Sequence, residues 1–210
     1  MNFTNIPKLI QWVISIGLCV IGWMTFSFID AIWHLIFIVV LIPWLHFCVT
    51  PLFHLLGIYQ YLSPPVFVFN PSDQKYDLHN GNLIDYLQVF SRKKSNITTQ
   101  KYILKNYANS CLQIISKIKR GELPNTVQIV GYSYFFNKRT ASKLSFKIGK
   151  IDAVTKFFFY LNLIEIIILY SFVKGSWEIP KLWEAKLFYT TGEALCKKEQ
   201  FIEKILKKLD

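Results

Sequence analysis

Apolar residues dominate the first quarter of the chain and form two long runs. Residues 9–29 contain no charged side chain, and after Asp30 the apolar character continues through residues 31–57. About 20 apolar residues span a bilayer as a helix, whereas a surface helix of a soluble protein keeps one polar face. The pattern therefore predicts a helical hairpin of two transmembrane helices, at about 9–29 and 32–50.

Proline residues indicate where the membrane region ends. Pro51 removes a backbone donor from the second run, so we expect the spanning part to stop there. The following residues, up to 62, would continue along the membrane surface, and the stiff Ser63-Pro64-Pro65 joint would follow. The predicted organisation is a membrane anchor at 1–62 and a separate domain at 63–210.

The second domain alternates between strand-like and helix-like segments. Short runs rich in β-branched and aromatic residues predict strands at 66–69, 126–136 and 145–148. Helical spacing of apolar residues predicts helices at 83–90, 97–120 and 138–144. Residues 76–82 contain Asn80-Gly81 and predict a turn, and Thr190-x-x-Glu193 is a capping box for a final amphipathic helix. The order predicts a small mixed α/β (α+β) domain that ends in this helix.

A further apolar stretch, residues 157–173, fits more than one location. Its 17 residues are at the lower limit for a span, and Asn162 and Glu165 lie near its middle on one helical face. A charged group at the bilayer centre is costly. We therefore expect a core or membrane-surface helix, with a third span as the alternative.

Charge is distributed unevenly along the chain. Residues 1–72 contain only Lys8 and Asp30, although the whole chain carries a formal charge of +11. Residues 90–150 hold thirteen lysines and arginines against one acid, Glu122. Every basic side chain lies on the terminal side of the predicted hairpin, so the positive-inside rule predicts a multi-pass protein of the cell (inner) membrane with both termini cytoplasmic.

The basic stretch predicts an anionic partner. The cations expected to meet it are Arg92, Lys93, Lys94, Lys117, Lys119, Arg120, Lys138, Arg139 and Lys143. Anionic lipid headgroups come first, because each Lys or Arg near the surface contributes about 1 kcal/mol, and an acidic protein would use the same charges. A solvated surface and a phosphate-bearing ligand are the alternatives. Nucleic acid is not expected, since no RNA-binding motif is present.

Candidate catalytic residues are few. Nucleotide-binding, hydrolase and metalloprotease motifs are absent from the sequence. Asp77, His79 and Asp85 lie within nine residues and are candidates for an acid–base cluster, although a structural turn would use the same residue types. Glu165, paired with Asn162, is the second candidate.

Neither a metal nor another cofactor is expected from the sequence. His34, His46 and His54 lie in the second apolar run, but at 100° per residue they do not share one helical face. The four cysteines form no paired motif, which is typical of reduced thiols. No GxxxG motif occurs in the spans, so the sequence does not predict the oligomeric state.

These features favour a membrane-anchored adaptor or assembly protein whose basic cytoplasmic face contacts anionic lipid or an acidic partner. The alternative is a membrane-bound enzyme that acts on a phosphate-bearing or lipid-linked substrate. Such an enzyme would use Asp77, His79 and Asp85.

Overall fold

Helices surround a single mixed sheet in the computed structural model. It describes residues 7–29, 31–81, 85–86, 99–133 and 138–209, with the backbone alone for residues 31–32, 34–40, 42–43 and 138–140. The helices are α1 (Lys8–Ser27), α2 (Ala31–Leu55), α3 (Thr99–Lys119), α4 (Lys138–Lys143), α5 (Ala153–Leu161), α6 (Leu163–Lys174), α7 (Gly192–Cys196) and α8 (Glu199–Leu209), with a 3₁₀ turn at Leu182–Glu184.

Six strands form the sheet within the described residues. They are β1 (Tyr59–Ser63), β2 (Val66–Phe69), β3 (Lys75–Asn80), β4 (Gln128–Ser133), β5 (Lys147–Gly149) and β6 (Lys186–Thr191), in the spatial order β1-β2-β3-β4-β6-β5. Strands β3 and β4 are parallel and are connected through α3, whereas all other neighbours are antiparallel. Parallel neighbours require such a crossover, which places α3 against one face of the sheet.

The main hydrophobic core lies between this face and helices α3, α7 and α8. Val68, Ile129 and Ile114 are fully buried in it, together with Leu195 and Ile202 from the C-terminal helices. The apolar residues of α3 recur at helical spacing and face the sheet. The helix ends at Gly121, whose φ of +74° permits a Schellman motif that glycine adopts without strain.

The opposite face of the sheet, called here the outer face, is approached by α2, α5 and α6. Tyr59 of β1 contacts Phe53 of α2, with ring centroids 5.3 Å apart. Tyr132 of β4 lies edge-on to Phe159 of α5 at 6.4 Å. Because side chains alternate along a strand, both tyrosines point away from the main core.

Helix α1 has an inverted distribution of polar and apolar residues. Its buried residues are Gln11, Ser15 and Gly22, whereas its isoleucine, valine and tryptophan side chains are largely exposed. Gly22 faces α2, because a Cβ built there would lie 3.0 Å from Cβ of Cys48. Small residues let two helices approach closely, and here they form the contact with α2.

A leucine at Gly22 should therefore separate α1 from α2. The Cβ alone is at the limit of contact with Cys48, and a full side chain leaves no room without moving one helix. Gly17→Leu is the matched control, since nothing lies within 4 Å of a Cβ at that position. We expect the melting temperature in detergent to fall for Gly22→Leu and to stay near wild type for Gly17→Leu; equal melting temperatures would contradict this packing.

Length and composition single out one helix of the described residues, α1, as able to cross a membrane. A bent pair, α5 and α6, would be a second such segment if it were counted as one span. The apolar stretch at 157–173 is thus divided at Asn162, where the two helices meet at 76°. Asn162 caps the end of α5, and its side-chain amide donates to the carbonyl oxygen of Phe158.

Two segments differ from the sequence-based expectation. Helix α2 continues past Pro51 to Leu55. The last part of the segment expected on the membrane surface forms β1, so the sheet begins at Tyr59, before the predicted start of the second domain at residue 63. Thr50, just before the proline, donates its hydroxyl to the carbonyl oxygen of His46 within the helix.

The predicted turn at 76–82 is also wrong over most of its length, because these residues form strand β3. Pairing with β2 on one side and β4 on the other places this strand inside the sheet, and tertiary pairing outweighs the turn preference of Asp and Asn. The capping residue of the C-terminal segment is Thr191 rather than Thr190, and its hydroxyl accepts from the amide of Ala194.

Candidate functional site

Aromatic side chains and histidine cover the outer face at strands β1 to β3. The Phe67 ring lies at the centre, 4.4 Å from the Tyr59 ring, and stacks on His79 at 5.6 Å with an interplanar angle of 16°. Tyr61 approaches the same phenylalanine at 5.6 Å. The alternation of side chains along adjacent strands assembles this surface.

Asp77 lies beside His79 on this face, as the sequence-based cluster requires. Nζ of Lys75 donates to Oδ2 of Asp77 at 2.7 Å, and Nε2 of His79 lies 3.4 Å from Oδ1. The second is a close contact rather than a hydrogen bond, since Oδ1 of Asp77 is buried with no hydrogen-bond partner among the described residues. The alternation of residues 75, 77 and 79 along β3 brings the three side chains together.

The electrostatics of Asp77 keep it ionised. Burial raises the pKa of the carboxyl, but His79 and Lys75 outweigh burial, so the pKa of Asp77 lies below its ordinary value. A carboxylate of this kind is a poor proton donor at neutral pH. It lies beside the imidazole of His79, whose side chain is 40% exposed.

Asp85, the third predicted member, binds a different side chain. Its Oδ2 accepts a hydrogen bond from the hydroxyl of Tyr61 at 3.0 Å. Burial and the nearby carboxylate raise the pKa of Tyr61, so the phenol stays protonated and remains the donor. The Phe67 ring contacts both Tyr61 and His79. The predicted residues thus lie in two pairs, Asp77 with His79 and Asp85 with Tyr61, and Phe67 lies between the pairs.

Replacing Asp77 with asparagine should lower stability by about 1 kcal/mol at neutral pH, because Lys75 loses its charged partner. The folded-state pKa of Asp77 is depressed, so its contribution is complete above the unfolded-state pKa and disappears as the pH falls through the folded-state value. The difference in melting temperature between wild type and Asp77→Asn should therefore be constant above about pH 5 and shrink below about pH 4.

Asp73→Asn serves as the matched control, because Asp73 is exposed in the turn before β3 and undergoes the same change of charge. A melting difference for Asp77→Asn that is independent of pH down to about pH 2 would show that the carboxylate does not provide the stability.

A second polar group, which no local sequence pattern predicts, joins α2, β1 and α6. Nε2 of His46 lies 3.0 Å from the hydroxyl of Tyr59, and Nδ1 lies 4.0 Å from Oε2 of Glu165. Burial and the Glu165 charge raise the pKa of Tyr59 to about 12, so its hydroxyl keeps its proton. The sequence signal was present, since Glu165 and His46 are ionisable residues within apolar runs. The side-chain amide of Asn162 donates to the carbonyl oxygen of Phe158, and Glu165 lies near His46.

The predicted basic residues fall into two separate places. At the end of α3, Lys119 pairs with Glu199 and Arg120 with Glu122, while Nζ of Lys117 lies 5.9 Å from the centre of the Tyr76 ring. Lys119 and Arg120 therefore have acidic partners at the protein surface, whereas Lys117 contacts an aromatic ring. Arg92, Lys93 and Lys94 lie outside the described residues, and Lys138 and Arg139 are described by backbone alone in α4.

The other basic place is the β5 edge of the sheet. Lys143, Lys147 and Lys150 are exposed, and none of the three takes part in an ion pair with another described residue. Lys147 pairs in register with Tyr189, so its side chain points to the outer face. Lysines on a short edge strand also prevent pairing with other chains, which is their purely structural role.

Metal coordination has no support in the part of the chain that the structure describes, where no three His, Cys, Asp or Glu side chains are grouped closely enough to hold an ion.

Comparison with known proteins found no matching family model, no similar curated protein and no similar solved structure. The function must therefore be inferred from the arrangement of these residues.

Proposed function

We propose that the protein is a membrane-anchored adaptor in which α1 and α2 form the anchor and the sheet domain meets an anionic surface. The inverted composition of α1 carries this proposal. In water, a helix that exposes Ile16 and Val20 and buries Gln11 would be unfavourable. In lipid the same arrangement is favourable, because the apolar side chains face the hydrocarbon and the polar side chain is kept out of it.

Helix α2 supports the anchor and connects it to the sheet. Near Cys48 it packs on Gly22 of α1, and two turns later its last residues contact β1, where Nδ1 of His54 lies 3.1 Å from the carbonyl oxygen of Tyr59. The sheet is thus attached to the anchor by packed side chains. On this proposal both termini are cytoplasmic, in the cell (inner) membrane, as the distribution of charge predicts.

The β5 edge provides the positive charge for an anionic surface. Lys147 and Lys150 are exposed there, and Lys156 of α5 is exposed a short distance along the chain. Each lysine near anionic lipid contributes about 1 kcal/mol within a Debye length of about 8 Å. The α3 cations contribute less, because Glu122 and Glu199 already compensate them.

Reversing the charge of Lys143, Lys147 and Lys150 to glutamate should abolish any stabilisation by anionic lipid. The full-length chain would be reconstituted in nanodiscs of phosphatidylcholine with or without 30% phosphatidylglycerol. Because binding to the folded state raises the melting temperature, wild type should melt higher with the anionic lipid, and the rise should shrink with salt.

A triple variant with the same change of charge is the matched control. Lys204, Lys207 and Lys208 lie exposed on α8, which packs on α3 at the other face of the sheet. Their replacement by glutamate should leave the lipid-dependent rise intact. If both triple variants lose it equally, the effect comes from net charge and the β5 edge has no special role.

A second candidate function, an enzyme acting on a phosphate-bearing or lipid-linked substrate, is favoured by one observation. Asp77 lies 3.4 Å from His79, whose side chain is 40% exposed, and a carboxylate beside an exposed imidazole is a pairing used in acid–base chemistry. Hydrolysis of p-nitrophenyl phosphate by the full-length chain, lost in His79→Gln and retained in Asp73→Asn, would support it. No hydrolysis above buffer, or hydrolysis unchanged in His79→Gln, would remove it.

A further inference from the structure

We propose that α5 and the segment around the 3₁₀ turn insert their aromatic side chains into the membrane interface. The inference rests on the proposed membrane anchor and identifies a second lipid contact. Helix α5 contacts α2 and α6, so it lies next to the anchor.

Helix α5 is apolar on sides that the protein does not cover. It contains no buried residue, and Phe157, Phe158 and Tyr160 are each more than half exposed. The neighbouring Phe159 points towards the sheet and contacts Tyr132. One side of the helix therefore packs on the outer face of the sheet, and the other presents three aromatic rings to the surroundings.

Tryptophan residues extend this surface beyond the helix. Trp177 and Trp183 are 75% and 69% exposed, and Ile179 between them is 67% exposed. The 3₁₀ turn that contains Trp183 packs against α5, which joins the two parts. A cluster of exposed aromatic and apolar side chains of this kind is typical of an interaction surface.

Lipid fits this patch because lysines accompany its aromatic residues. Lys156 is exposed on α5 itself, and Lys181 lies in the tryptophan segment, where its Nζ is 3.7 Å from Oε1 of Glu184. Tryptophan and tyrosine favour the headgroup level of a bilayer, and lysines beside them meet the phosphates. At nine residues α5 is about 14 Å long, too short to cross the hydrocarbon core, so it lies along the interface.

The bend at Asn162 lets α5 lie along the membrane interface while α6 packs within the protein. Helix α6 leaves α5 at 76° and buries Ile166, Leu169 and Val173 within the protein. A continuous helix over the same residues would carry Glu165 into the lipid. Instead, Glu165 lies within 4.0 Å of His46, and its side chain is only 12% exposed.

Bimane fluorescence in nanodiscs tests the proposal. Single cysteines would be introduced in the full-length chain with its four native cysteines replaced, at Phe158, at Ile16 of α1 and at Lys204 of α8, and each variant would be labelled and its fold verified by circular dichroism. All three positions are exposed in the structure. Lipids with a nitroxide on the acyl chain quench bimane only when it lies in or near the hydrocarbon. We expect at least threefold stronger quenching for Phe158→Cys than for Lys204→Cys.

The three positions separate the possible failures. If Ile16→Cys is quenched and Phe158→Cys is quenched no more than Lys204→Cys, then α5 does not contact lipid and this inference is overturned while the anchor stands. If Ile16→Cys is not quenched, the membrane anchor itself is wrong. Protection of Phe158→Cys from aqueous iodide without quenching by lipid would assign the patch to a protein or to a second copy of the chain, which also overturns the inference.

Discussion

Lysine substitutions at Ile16 and Val20 should remove α1 from the membrane. Both side chains are about half exposed, near the middle of the helix. If α1 were in water, such substitutions at half-exposed surface positions would change the stability of the protein very little. In a bilayer each lysine raises the free energy of membrane insertion by about 3 kcal/mol, and the pair raises it by about 6 kcal/mol. This increase exceeds the favourable insertion free energy of the remaining apolar residues of one helix.

Cys19 of α1 offers a direct measurement of this effect. In a chain where it is the only cysteine, a membrane-impermeant maleimide should leave the wild-type position largely unlabelled and should label the double-lysine variant several-fold more. Ile16→Leu with Val20→Leu is the control, since it changes shape without adding charge. Strong labelling of Cys19 in the wild-type background would show that α1 lies in water.

Replacing Ile114 with alanine should cause a large loss of stability. Ile114 is fully buried between α3 and the sheet, where its side chain contributes both transfer free energy and packing. Truncation of a buried isoleucine costs about 2–5 kcal/mol, because the surroundings relax only in part around the cavity. Chemical denaturation of the full-length protein in detergent measures the change.

Leu104 is the matched control on the same helix. It is 38% exposed, so Leu104→Ala should cost less than about 1 kcal/mol. Equal losses for the two variants would show that α3 does not pack on the sheet through the Ile114 side. Both substitutions end in alanine, the strongest helix former, so neither loss of stability can come from reduced helix propensity.

Periodic segments are predictable from this sequence, and segments set by distant contacts are not. Helix α3 follows from the spacing of apolar residues and its end at Gly121, and strand β2 from the run 66–69. Strand β3 reads as a turn because Asp77 and Asn80 favour turns locally. Its neighbours come from residues 66–69 and 128–131, so only long-range pairing shows that it is a strand.

The candidate site is predictable in part for the same reason. Asp77 and His79 are two residues apart on one strand, and their contact depends only on alternation along the chain. Asp85 was predicted from proximity in sequence, but its partner Tyr61 comes from a strand 24 residues earlier. The group of His46, Tyr59 and Glu165 joins three separate elements, and no local pattern contains that information.

The attachment of α2 to both α1 and β1 has a consequence for changes in chain length. A helix rotates by 100° per residue. Deleting or adding one residue between Cys48 and His54 would turn the sheet by that angle relative to α1 and, on the proposed function, would carry the β5 lysines away from the anionic surface. Many single substitutions there would leave the angle unchanged, so this segment acts as a fixed spacer in which the number of residues matters more than their identity.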